Sequence, residues 1–296
     1  MFTVKEMNVI NLQDSYTLFY GILGGHVIER LGLKGESALR EGVRRFGRDR
    51  GTKRREAQLA ANYKINMKNL FSVGSDLPSD PRFGRDRLAL IPQERISHTL
   101  ACPMADVWRA HNLRAVGRLY CEEFHPACYS AYAYGYTRVN LGRTLTQDGD
   151  EYCSFNIILR PEHLPENLRP VCFEEYDPHY TGPSASLPKA EAKSGFGSLC
   201  IRIYHYIFEV LLERFGEEGR AVAAGGLEKA AEDAVRRLKE QGEAMQSPVN
   251  RDFVEANMPL RLSPDSDPLW SGYDTHGALD LMKKHFYAPV TEALGL

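Results

Sequence analysis

The sequence predicts an α+β protein in which helical N- and C-terminal segments surround a central helix pair and an antiparallel hairpin. Three observations predict that class. Apolar residues recur at three- and four-residue spacings towards both ends, the middle switches to two-residue alternation, and "DGD" separates two alternating runs. The chain then divides into a helical segment 1–86, an αβ core 87–160 with a Cys/His pocket, a Pro-rich connector 161–198 and a helical segment 199–296.

In "SYTLFYGILGGHVIERLGL", Leu18, Ile22, Leu23, Val27 and Leu31 form one apolar helix face, with Ser15 placed to cap its start and Gly32 to stop it. "GESALREGVRRFGRDRGTKRREAQLAANYKINM" follows, with Leu39, Val43 and Phe46 apolar and arginines between them. Its internal glycines, each about 1 kcal/mol worse than alanine in a helix, predict a break near Gly47 or Gly51. "GSDLPSDPRFGRD" is a turn-rich connector.

"RLALIPQERISHTLACP" predicts extended structure ending at Cys102, and Pro103 suits the first turn of a helix. From there to Gly135 the pattern is a helix, a break near Asn112 and a second helix. "YTRVNLGRTLTQ" and "EYCSFNIILR" then read as strands joined at "DGD". Alternation places Tyr152, Ser154 and Asn156 on one face, with Cys153, Phe155 and Ile157 on the other. The last third is helical again. "ERLGLKG" at 29–35 echoes "ERFGEEG" at 213–219. A degraded duplication would produce this echo, and so would the simple recurrence of helix-stop glycines.

Composition narrows the function. At 43% hydrophobic and 26% charged residues, the 296-residue chain has the make-up of a globular protein that can bury a full core. A net charge of −2 argues against a nucleic-acid partner. No apolar run of about 18 residues stands out, so a membrane partner is not expected, and the N-terminus lacks the pattern of a signal peptide. Six cysteines, none in a CxxC pair, suit reduced thiols and a cytoplasmic location. A homodimer is the default assembly.

The chemistry-bearing residues concentrate in 118–158. On a helix, Cys121 and His125 stand one above the other, with Cys128 near the same face. This spacing fits a nucleophile and its base, two metal ligands, or a buried thiol beside a core histidine. The arginines between Arg40 and Arg55 fit a solvated helix face paired with acids, with Arg48 and Arg50 in "FGRDRG" as possible exceptions. No GxSxG, HExxH, Walker or Rossmann pattern is present.

"GESALREGVRRFGRDRG", "CP" at 102, "YCEEFH" at 120–125 and "GYTRVNLGRTLTQDGDEYCSF" at 135–155 resemble the L-2-amino-thiazoline-4-carboxylic acid hydrolase family over about residues 20–160. The middle region is also similar to 4-vinyl-reductase-type domains, which bind ligands and in sensor proteins hold zinc. Cys121 and Cys153 match the outer cysteines of that zinc set. Gly142 and Leu145 fall at the inner positions and cannot ligate through a side chain.

The hydrolase resemblance implies opening of a C–N or C–S bond in a small heterocyclic, amidine- or lactam-like carboxylate. Cys121, His125 and Cys153 would be catalytic, and Cys102, Arg118, Tyr120, Glu122, Tyr136 and Arg143 would contact the substrate. The implied partner is a small molecule, and no cofactor is expected. A metal held by Cys102, Cys121, His125 and Cys153 is a lesser alternative. A non-catalytic binding or sensor module is the alternative function.

Overall fold

The computed structural model describes residues 2–296, and two long kinked helices form its spine. Helix α1 (Val4–Ala60) begins at a capping box, in which the Thr3 hydroxyl accepts from the Glu6 N–H and Glu6 reaches back to the Thr3 N–H. The start therefore lies well before Ser15, whose hydroxyl bonds the Asn11 carbonyl oxygen at 2.7 Å inside the helix. The interruption falls at Gly32, with φ 56° and ψ −137°, and not at Gly47 or Gly51. A Cβ at either of those two would strike the backbone of a neighbouring helix at Phe124 or Cys128, so these glycines allow close helix packing.

After α2 (Met67–Ser72) come two strands, β1 (Gly84–Ile91) and β2 (Glu94–Ala101). The sequence reading merged them into one extended stretch. Next are α3 (Pro103–Ala110) and α4 (Arg114–Tyr132), separated at Asn112 as expected, where φ is 58°. Strands β3 (Arg138–Arg143) and β4 (Cys153–Ile158) complete an antiparallel sheet of order β1-β2-β4-β3. β4 is buried at alternate residues on the Cys153, Phe155, Ile157 side, as the alternation predicts. The link between β3 and β4 is not a tight turn at "DGD". Residues 144–152 form a loop in which the Asp150 carboxylate accepts from the Thr144 N–H at 2.9 Å.

The connector holds short turns and α5 (Arg169–Cys172). Helix α6 (Ala192–Ala244) then runs against α1, followed by α7 (Arg251–Asn257), α8 (Ala278–Met282) and α9 (Ala288–Leu294). Helix α6 corrects the reading that no apolar run is long enough to span a membrane. It contains an 18-residue window of mean hydropathy 1.2, but 78% of that window is buried inside the protein. Residues such as Phe196, Ile203, Tyr204 and Phe208 there belong to the core shared with α1, α4 and the C-terminal helices.

The sequence echo is a structural repeat. Gly216 breaks α6 at φ 57° and ψ −130°, nearly the dihedrals of Gly32. The two helices cross-contact in matched pairs at one constant offset along the chain. Gly42 seats against Ile207 as Gly226 does against Leu23, and Arg45–Glu213 at 2.6 Å is mirrored by Lys229–Glu29 at 2.7 Å. The packing partners repeat too. Tyr20 donates to the Val116 carbonyl oxygen beside Trp108, and Tyr204 donates to the Ala278 carbonyl oxygen beside Trp270, both at 3.0 Å. Helix, tryptophan turn and helix thus occur twice about an approximate two-fold axis. Among the described residues the sheet belongs to the first repeat alone.

Candidate active site

Helix α4 serves two neighbours. Phe124 and Cys128 turn to the helical core, while His125 meets the sheet edge-to-face at Phe155, 5.0 Å between centroids. Residues opposite each other on antiparallel strands share a face. The pairings Thr99–Cys153, Ser97–Phe155 and Arg95–Ile157, with Arg85–Thr99 and Arg87–Ser97, therefore put three arginines and Cys153 on the side facing α4.

Three thiols meet in this seam. Cys121 lies within electrostatic reach of Cys102 and Cys153, with Thr146 nearby. The Leu145 N–H donates to Cys153 Sγ at 3.3 Å, and the Met104 and Ala105 N–H groups at the start of α3 face the Cys102 sulfur. Cys102 and Cys121 retain partial solvent access, whereas Cys153 is buried. Burial raises all three thiols, Cys102 to about 11, so each is neutral at pH 7.

His125 forms no hydrogen bond with Cys121. Its Nδ1 lies 3.2 Å from the Tyr129 hydroxyl, one further turn along α4. Burial, with the charges of Arg95, Arg50 and Arg85, holds the imidazole down at about 3. The ring is therefore neutral at pH 7.

The other sequence candidates stand elsewhere. Glu122 accepts from Arg40 at 2.8 Å and pairs with Arg118 at 3.3 Å, and Arg118 is itself 46% exposed. Tyr120 is buried on the α1 side, with its hydroxyl 2.9 Å from that of Tyr16. Tyr136 is 40% exposed ahead of β3. Arg143 lies over the Tyr152 ring at 5.2 Å on the sheet's outer face, where His98 also stacks on Tyr152. Arg48 pairs with Glu41, and Arg50 with Asp76 at 2.7 Å. Among the described residues, no three His, Cys, Asp or Glu side chains are placed to hold a metal ion. The set Cys102, Cys121, His125 and Cys153 is thus not arranged as one.

Arg95 is the residue that sequence reasoning missed. It is 9% exposed and makes no ion pair among the described residues. Its guanidinium lies 4.0 Å over Phe71 and 5.8 Å from the Phe155 centroid, and its Nε has no hydrogen-bond partner. The alternation of Arg95, Ser97 and Thr99 towards Cys102 was the available signal.

The sequence model of the L-2-amino-thiazoline-4-carboxylic acid hydrolase family matches residues 16–157, from within α1 to within β4. No curated protein and no solved structure matches the chain. The matched stretch contains all three thiols of the seam, His125 and Arg95, and over residues 16–157 the chain is similar to the L-2-amino-thiazoline-4-carboxylic acid hydrolase family.

Proposed function

We propose that the protein hydrolyses a C–N bond of a small heterocyclic carboxylate of the cyclic-amidine kind, in the seam between α4 and the sheet. The family match supports a hydrolase-like function. The observation that carries the finer reading is that Cys102, Cys121 and Cys153, from three separate elements, all border the seam within electrostatic reach of one another, with His125 one helical turn from Cys121.

Cys121, on α4 and partly accessible, is the nucleophile of this reading. Its sulfur adds to the ring carbon between the heteroatoms, and the thiol proton is relayed towards the ring nitrogen, the neutral His125 imidazole accepting a hydrogen bond along the way. The ring C–N bond then breaks and its nitrogen takes that proton. Water finally cleaves the new C–S bond, regenerating the thiol, so one water is consumed per ring opened. A resting thiol raised by burial needs help to ionise. A protonated amidine supplies it, because a cation beside the sulfur favours the thiolate.

One observation favours a second reading. The missing Cys121–His125 hydrogen bond and the neutral thiols also suit a binding module that performs no chemistry. Incubation with a panel of cyclic amidines, thiazolines and lactams, followed by mass spectrometry, separates the two. The hydrolase reading predicts ring opening that falls about 100-fold or more in Cys121→Ala and in His125→Ala, with circular dichroism unchanged. Turnover that survives in both folded variants would remove these residues from the chemistry. No turnover across the panel, with binding retained, would leave the binding module.

A further inference from the structure

We propose that Arg95 is the anchor for the substrate's carboxylate and fixes which way the ring enters the seam. The proposal rests on the small-carboxylate reading above and adds the residue that recognises the anion. A buried guanidinium ordinarily pairs with an acid or has its N–H groups satisfied, because burying an unpaired charge is costly. Arg95 does neither. It is 9% exposed, forms no ion pair among the described residues and has an orphaned Nε.

What surrounds Arg95 is suited to a flat anion. The aromatic faces of Phe71 and Phe155 hold the guanidinium plane. Ser97, two residues along the same strand face, has a buried hydroxyl that also lacks a partner. The Tyr129 hydroxyl, fixed at His125 Nδ1, completes the rim. A carboxylate can accept two parallel N–H bonds from a guanidinium and the Ser97 hydroxyl as a third donor. With the anion held there, the rest of the ring points along β2 towards Thr99, the residue opposite Cys153. Arg118 and Arg143, the cations that the sequence offers for this task, are exposed away from the seam.

The test is calorimetric titration of the full chain with L-thiazolidine-4-carboxylate, a ring without an amidine carbon, and with its carboxamide. The acid is expected to bind at least about 10-fold more tightly than the amide, charge-assisted hydrogen bonds being about twice as strong as neutral ones. Arg95→Gln is expected to abolish that preference and Arg95→Lys to keep part of it. Equal binding of acid and amide, binding of neither, or a preference that survives in Arg95→Gln would overturn the proposal. Because Arg95 also packs between two rings, the wild-type chain gives an independent readout. The 15N signal of Arg95 Nε should shift with the acid and stay still with the amide, and a signal that ignores both would overturn the anchor. Acid-selective binding without turnover of any ring would defeat the hydrolase reading and leave the anchor standing. Turnover without acid selectivity would do the reverse.

Discussion

His125 and Cys102 respond to burial in opposite directions, because burial favours whichever form is neutral. His125 is held down from 6.5 to about 3 by burial and three arginines. Between those values the unfolded chain takes up a proton that the folded chain refuses. This contribution to stability is complete above pH 6.5 and is lost as pH falls through about 3. The urea midpoint should therefore decline across that range, and His125→Asn should flatten the decline whatever its midpoint at neutral pH. Parallel declines would contradict the assigned environment. Cys102 works the other way, raised from 9.0 to about 11, chiefly by burial. Its contribution is complete below pH 9 and fades as pH rises through 11, so Cys102→Ala should lose less stability than the wild-type chain over that window. Little of this was legible in the sequence. The Cys121-to-His125 spacing was visible, but the partner that His125 takes is Tyr129, at the same spacing in the other direction.

Elements were read best where periodicity or a breaker residue dictates the structure. The break at Asn112, the end of α4 and the inner face of β4 follow from local pattern. The division of the extended stretch into β1 and β2 is hidden because Pro92 and Gln93 carry a hairpin without the usual glycine signal. Gly47 and Gly51 were misread because a glycine that admits a neighbouring helix looks, in sequence, like one that ends its own. Gly32 and Gly216 are true breaks, with dihedrals that only glycine adopts readily. A Cβ at either would meet nothing within 4 Å, so substitution acts through backbone strain alone. Gly32→Ala and Gly216→Ala should each cost about 1–3 kcal/mol, and by the same amount within error, measured by chemical denaturation. A large cost at one and none at the other would contradict the equivalence of the two kinks.

For the whole molecule, the repeat sets apart the half that holds the proposed site. Both halves supply a kinked helix, a buried tryptophan and a second helix packed on the first. The sheet inserted around α4 in the first half turns an ordinary packing face into a seam that carries both thiols and arginines. That assembly depends on β2 pairing with β4 across more than fifty residues of chain. Local pattern therefore exposed the cysteines and the histidine but hid the inward aim of Arg95. Ion pairs that cross elements, such as Arg40 with Glu122 and Glu123, were hidden for the same reason.

Whether a small heterocyclic carboxylate occupies this seam is decided by thiol footprinting. The native protein is treated with iodoacetamide, with and without saturating L-thiazolidine-4-carboxylate, and each cysteine is followed by peptide mass spectrometry. Cys102 and Cys121 are the partly accessible thiols, while Cys128, Cys153, Cys172 and Cys200 are buried. Slow labelling at Cys102 and Cys121 is expected, suppressed several-fold by the carboxylate, with the buried four unlabelled throughout. Labelling of Cys102 and Cys121 that is indifferent to the saturating ligand would place the binding site elsewhere and contradict that occupancy.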